Sequence, residues 1–391
     1  VLFVFYLSLT IAGQTFLSFQ WDILLLETGF LAIFLAPWQL WPKRGREAPV
    51  SRAALFLLKL LLFKLMLMSG VVKLTSGDDS WGWLDHSFHW SALTALDYHY
   101  WSQPLPTVFG WWADKSPEWF KHFSVAFCLA VEIIAPFFIW TPRRPRLIAA
   151  GLIVFLQIAI AVTGNYCFFN LLTIALCLLL IDDATIGRKY ATVIEPRYIH
   201  RLSTVGVIAV ILVTLPINAW LIFSAFKPAA SSPRALAFIH EHVAPFRIVN
   251  GYGLFRVMTK DRGEIVIEGS ADGIDWLPYE FKWKPGNVKR APRWCAPHQP
   301  RLDWQMWFAA LGAPQQNPWF GRFVIRLLQG SRDVSQLLAR NPFPDQPPRY
   351  IRAGFYRFRF TTVEEHRQSG AWWKLQELGE YLPTVSLDQL R

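Results

Sequence analysis

Seven stretches of this chain are too apolar and too long to be ordinary core segments, and they restrict the fold more than any motif does. A helix crossing a bilayer core takes about 20 predominantly apolar residues. The stretches are Val1 to Leu17, Ile23 to Trp41, Ala53 to Leu74, Trp119 to Trp140, Leu147 to Thr163, Tyr166 to Ile181 and Val205 to Phe226. The fifth and sixth are short and meet at Gly164-Asn165, which reads as a tight hairpin. None follows Phe226. The expected architecture is a multi-span α-helical membrane domain of about seven helices over residues 1–226. A non-cytoplasmic α+β domain with a small β-sandwich follows over 227–391. Composition agrees: 17% of the chain is charged, against about a quarter in an ordinary soluble domain. Residue 1 is Val, already inside an apolar run, with neither a charged start nor a small-residue cleavage site nearby. A truncated N-terminus is therefore expected.

Basic residues orient the spans. Lys43, Arg44, Arg46 and Arg52 share one loop, Arg143, Arg144 and Arg146 a second, and Arg188, Lys189, Arg197 and Arg201 a third. The alternate connections hold Lys115, with Lys121 at the next helix start. Short loops rich in Lys and Arg stay on the cytoplasmic side. The 75–118 loop and the domain after 226 then face the other side.

Ionisable groups inside spans are costly and turn towards protein or water. Here they are Asp22, Glu27, Lys59, Lys64, Lys73 and Glu132. Asp22, Glu27 and Lys73 fall towards the outer ends of their helices, and two readings stand for them. One is pairing that makes insertion tolerable; the other is an outward polar pocket that does chemistry. Glu132, near mid-span, is expected to pair with a lysine on another helix, with Lys64 as the candidate. His86 and His89 are spaced i, i+3, yet no ligand pattern surrounds them, and the aromatic belt of Trp81, Trp83 and Trp90 is the simpler reading. No metal and no cofactor is expected.

Beyond 226 the pattern changes. Phe246 to Met258, Glu264 to Glu268, Leu277 to Trp283 and Arg349 to Thr362 read as strands, with Asp272-Gly273 as a hairpin signal. Trp304, Trp307, Phe308 and Leu311 follow a helical stripe with Asp303 as candidate N-cap, and Phe320 to Leu328 repeats the stripe. Residues 227–391 hold 23 Lys and Arg against 15 Asp and Glu, a net +8 of the chain's +11. Such a domain is drawn to anionic membrane lipids or an acidic partner, and on the non-cytoplasmic side nucleic acid is not the partner. Cys295, His298 and Asp303 invite a catalytic reading, but Pro297 and Pro300 favour a rigid turn with a structural histidine.

Four stretches together resemble the lipase maturation factor family: FLSFQWDILLLETGFLAIFLAP from Phe16; SGVVKLTSGDDSW from Ser69 with LDYHYWSQPLP from Leu96; EIVIEGSADGIDWLPYEFKWKPG from Glu264 leading to APHQPRLDWQMWFAALG; and NPFPDQPPRYIRAGFYRFRFT from Asn341. The resemblance implies a membrane protein, in animals of the endoplasmic reticulum, that assists folding of secreted lipases through a luminal or periplasmic C-terminal domain. It implies a helper rather than an enzyme, with a secreted client, and the basic, aromatic character of that domain nominates Trp304, Trp307, Arg301, Arg357 and Arg359 as client-binding residues. WSQPLP stands where an acidic residue and a threonine are expected before the Gln-Pro, and there are only four cysteines. Both departures suggest a bacterial member, in the inner membrane with a periplasmic domain, whose client need not be a lipase. A second likeness, of SGVVKL and its tryptophan-rich outer loop, is to the membrane domain of the vitamin K-dependent carboxylase group. It implies an enzyme using Lys73, with Asp22 and Glu27, on a lipid-soluble substrate.

Overall fold

The computed structural model describes residues 1–36, 50–85, 87–182, 185, 187 and 197–389. In chain order its helices are α1 (Leu2–Gly13), α2 (Gln20–Leu35), α3 (Arg52–Leu74), α4 (Ala95–Ser102), α5 (Val108–Asp114), α6 (Glu118–Ile133), α7 (Arg143–Thr163), α8 (Phe169–Leu178), α9 (Arg197–Phe226), α10 (Arg234–Val243), α11 (Arg301–Ala309), α12 (Pro318–Leu328), α13 (Arg332–Ser335) and α14 (Val363–Ser369). The strands are β1 (Trp83–Leu84), β2 (Ser87–Phe88), β3 (Gly263–Ser270), β4 (Leu277–Pro278), β5 (Glu280–Phe281), β6 (Leu338–Arg340), β7 (Tyr350–Phe360) and β8 (Trp373–Ser386).

Four described helices are long and apolar enough to cross a bilayer: Arg52–Leu74, Glu118–Trp140, Arg143–Thr163 and Val205–Phe226. Leu2–Leu17 and Phe169–Leu178 are shorter apolar helices. In the second span the α-helix gives way at Ala135–Trp140 to a 3-10 turn, because Pro136 has no N–H to continue the ladder. Ser51 starts α3 as an N-cap, its hydroxyl accepting the N–H of Ala54. Of the basic loop residues, Lys43, Arg44, Arg46, Arg188 and Lys189, with the side chains of Arg197 and Arg201, lie outside the description, as does His86. Arg143 and Arg146 at the start of α7 both reach Asp182 beyond α8, at 3.2 and 2.8 Å.

Contacts divide the chain into two compact units. The first comprises residues 1–94, 121–160 and 168–258; the second comprises 95–120, 161–167 and 259–391. Two segments from within the apolar half, the loop before α6 and the turn between α7 and α8, thus belong with the C-terminal fold.

The second unit is built on an antiparallel sheet of order β4-β3-β7-β8, with β5-β6 as a separate pair. Strand parity sorts its faces, because successive side chains alternate. Register puts Ile265 opposite Phe355 and Ile267 opposite Ala353, and helices α11 and α12 cover this face. There Tyr381 packs edge-on against Phe320 and donates to the Ala309 carbonyl at 2.8 Å. Glu264, Val266, Tyr356, Phe358 and Leu375 occupy the other face. One end of that face buries Phe358, Phe360 and Trp373 against Tyr100, Trp101 and Trp111. The Asp272-Gly273 turn forms as expected, with Gly273 at φ 85° and the Asp272 carboxylate accepting the N–H groups of Ile274 and Asp275.

Three expectations need correction. Leu277–Trp283 is not one strand but two short ones, β4 in the four-stranded sheet and β5 paired with β6. Phe246–Met258 is not a strand: Arg247 and Phe255 take left-handed φ near 55°, and Asn250, Tyr252 and Gly253 bond side chains of α2 instead of a neighbouring strand. Asp303 does not cap α11, which starts two residues earlier after Pro300. Its carboxylate instead accepts the N–H groups of Trp283 and Lys284 at 2.8 and 2.9 Å.

Candidate functional site

Within the first unit the buried charges resolve into separate groups. Lys73 Nζ meets both oxygens of Glu132, at 2.7 and 2.5 Å, and lies 5.2 Å from the Trp81 ring centroid. Gly70, one turn earlier, permits this approach: a Cβ there would stand 2.5 Å from Ile133 Cγ1 and 2.9 Å from Glu132 Cβ. Glu132 therefore pairs with Lys73 and not with Lys64, which lies two and a half turns deeper on α3. Lys64 donates to Glu27 Oε1 and to Asn218 Oδ1, each at 2.6 Å. Glu27 Oε2 accepts the backbone and side-chain N–H of Asn250 at 3.0 Å and the Tyr252 hydroxyl at 2.8 Å. Asp22 accepts the Tyr6 hydroxyl at 2.5 Å and the N–H of Phe19 at 3.3 Å. Asp22, Glu27 and Lys73 thus have different partners, and the bonds described hold helices and the 249–252 segment together.

The second unit carries the more elaborate construction, centred on the end of α4 and the 103–106 segment that follows it. Arg262 is fully buried. Its fork donates to Glu264 Oε1 at 2.9 and 2.6 Å, to the carbonyls of Trp101 (3.0 Å) and Pro104 (2.9 Å), and to that of Gln103. Burial pulls the guanidinium below its ordinary range while the Glu264 charge opposes that. The second Glu264 oxygen takes Lys284 Nζ at 2.7 Å, and the guanidinium lies 5.4 Å from the Trp373 ring centroid. From the other side, Asn165 donates to the carbonyls of Leu105 and Arg293 (3.0 and 2.8 Å) and accepts the N–H groups of Cys295 and Ala296 (2.7 and 3.0 Å). Tyr166 donates to Gln103 Oε1 at 2.6 Å, and Trp307 to the Ser102 carbonyl at 2.8 Å. Gly164 has no room for a side chain, since a Cβ would lie 2.2 Å from Gln103 Oε1. WSQPLP is thereby an inside-out loop whose carbonyls are read by side chains from 165, 262 and 307.

Among the nominated residues, Trp304 and Trp307 are 3% and 8% exposed, so burial withdraws them from any partner's reach. Arg301 is half-buried at the start of α11. Arg357 and Arg359 share exposed Asp261 at 3.0 and 3.3 Å, and Arg359 lies over Trp101, 5.4 Å from its ring centroid. A cleft of about 440 Å³ opens on the sheet face of Val266, lined also by Glu268, Phe281, Arg290, Tyr356 and Leu375. Sequence reasoning did not single out Arg262, Lys284 or this cleft. The one available signal was the even parity of Glu264 and Glu268 around Val266, which marks a face unlike the isoleucine face.

Cys295, His298 and Asp303 do not form a catalytic group. Asp303 is spent on backbone N–H groups, and exposed His298 tilts against Trp283, ring centroids 6.1 Å apart. Burial first, then the Asp303 charge, pushes the Cys295 thiol up to about 12. With the reactive thiolate so scarce, Cys295 of the folded protein should escape maleimide at pH 8 and react after denaturation. Mass spectrometry of peptides checks this; equal labelling in both states contradicts it. No group of three or more His, Cys, Asp or Glu suited to a metal occurs among the described residues, and His89 bonds Ser87 at 2.7 Å.

Comparison with known proteins gives two family matches. The model of the lipase maturation factor transmembrane domain matches residues 1–188, and that of the lipase maturation factor C-terminal domain matches residues 248–383. Lipase maturation factor 2 of Gallus gallus is 38% identical over 99% of this chain and 68% of its own length. The Homo sapiens protein of that name is 36% identical over 99% and 69%. Lipase maturation factor 1 of Mus musculus is 34% identical over 100% and 70%. No solved structure matches significantly.

Proposed function

The chain belongs to the lipase maturation factor family, and from that membership we propose that it is a membrane-bound maturation factor for a secreted lipase or related hydrolase. The observation that carries this reading is the similarity over both halves of the chain to proteins named for that role. The charge bias of the loops supports a non-cytoplasmic second unit, and the WSQPLP departure with the low cysteine count supports a bacterial member, in which that side is periplasmic.

A maturation factor must hold a partly folded chain without converting it, and the sheet face of the second unit suits an extended client segment. Its cleft has an apolar and aromatic floor, with Glu268, Glu280 and Arg290 in its lining. Its lining residue Leu375 comes from β8, an edge strand of the sheet that exposes Leu375 and Leu378. An edge strand offers unpaired backbone groups to an extended peptide, and alternate side chains then fall into neighbouring pockets. Arg357, Arg359 and Arg301 supply positive charge elsewhere on this unit, and Trp304 and Trp307 act from inside it. The enzyme alternative gains nothing from the geometry, because Lys73 is closed off by both Glu132 oxygens.

In a strain secreting a hydrolase client, loss of this protein lowers the enzyme activity per secreted molecule while synthesis is unchanged. Val266→Arg, which fills the cleft, reproduces most of that loss at normal protein level and unfolding temperature. Full specific activity in the deletion strain for every secreted lipase overturns the function; full activity with Val266→Arg overturns only the cleft.

A further inference from the structure

Helix α10 follows the last span after seven residues, and none of its side chains is buried. Its inner side, Leu236, His240 and Val243, is half-covered, while Ala235, Phe238, Ile239 and His242 face outward. Phe238 is 62% and Ile239 41% exposed, and Phe246 just beyond the helix 52%. The Phe238 and His242 rings lie tilted on the open side, with centroids 4.2 Å apart.

The first unit has a second such patch. Trp83, Phe88 and Trp90, on and just after the β1-β2 hairpin, are 43%, 52% and 51% exposed. The two patches start from one level, since the Thr75 hydroxyl at the end of α3 donates to the Ala225 carbonyl at the end of α9 at 2.9 Å. Both therefore leave the same ends of two adjoining spans. Lys227, Arg234 and Arg256 are exposed among them, as are Asp79, Asp85 and Glu241.

We propose that α10 and the β1-β2 hairpin rest in the interfacial layer of the outer leaflet. Phe238, Ile239, Phe246, Phe88 and Trp90 enter the acyl boundary, and the charged residues around them stay at the level of the headgroups. The chain is already in the bilayer seven residues before α10, so the lipid surface is continuous with an interface the spans possess. Aromatic rings are favoured at that depth, and an amphipathic helix with apolar side chains on its outer flank settles there by about 5–10 Å. The inference does not depend on the client or on the cleft.

The test uses the full chain in nanodiscs of phosphatidylethanolamine and phosphatidylglycerol, spin-labelled singly at Phe238→Cys, Ile239→Cys, Glu241→Cys or Trp90→Cys. The unsubstituted protein, with its four cysteines, sets the background. Accessibility to dissolved oxygen and to a water-soluble nickel chelate is then measured. Labels at 238, 239 and 90 should show high oxygen and several-fold lower nickel access than the label at 241. Nickel access as high at 238 and 239 as at 241 places the helix in water and overturns the proposal. Low access to both agents at 238 and 239 means that protein covers the face, a second copy or a partner, and overturns it equally.

Discussion

Replacing Arg262 with alanine is expected to lower the unfolding midpoint of the purified protein by about 10 °C and to abolish client maturation. The side chain is fully buried and satisfies three carbonyls of the 101–104 turn as well as Glu264. Its loss leaves those acceptors dry and half of a buried charge network unpaired, which costs roughly 3–5 kcal/mol. For a unit of this size each kcal/mol shifts the midpoint by about 2–4 °C. Arg262→Lys keeps a charge beside Glu264 but has no planar fork to span several carbonyls, so it should fall between alanine and the native protein. A shift below about 2 °C for the alanine variant, under 1 kcal/mol on that scale, would show that the loop is held without the guanidinium.

The second large effect is expected in the first unit. Glu27→Ala and Lys64→Ala each strand a partner where no water reaches, since the native pair is 2% and 0% exposed. Each should reduce the monodisperse, membrane-inserted protein about a hundredfold, corresponding to roughly 3 kcal/mol for an uncompensated charge at such depth. Glu27→Gln with Lys64→Met removes both charges and keeps an acceptor for Asn250 and Tyr252, so it should recover much of what either single change loses. Fluorescence-detected size exclusion of detergent extracts measures this. Equal failure of the double variant would mean that the charges serve something other than each other.

Much of this architecture was legible in the chain. Four of the seven apolar runs coincide with the described helices long enough to span, and the family stretches pointed to the function. The strands expected over 264–268 and 349–362 form over 263–270 and 350–360, the second announced by the alternation at 357–360, and Phe320 to Leu328 announced itself through its helical stripe. What stayed hidden depends on contacts between distant segments. Nothing local to Arg262 tells that its partners are carbonyls some 160 residues earlier, and Asn165 reads as a turn residue until Cys295 is placed beside it. Trp304 and Trp307 looked like surface candidates because an aromatic stripe has the same pattern whether it meets a sheet or a client. Strand β8 escaped because its alternation is broken: Ala353 and Gly354 pair across bulges with Leu382 and Glu380, and Gly379 interrupts the side-chain pattern. Lys64 was paired with Glu132 from helix depth alone; the close approach at Gly70 brings Lys73 there instead.

The central claim is that a secreted client is held by the second unit, on the cleft beside β8. A photo-crosslinking amino acid at position 375 tests it most directly, in cells exporting a lipase, with the same probe at exposed Phe155 on α7 of the first unit as comparison. The account predicts that newly exported lipase crosslinks at 375 and not at 155, and that Val266→Arg removes the adduct. Crosslinking of the lipase at 155, or none at 375 while maturation proceeds, would contradict it.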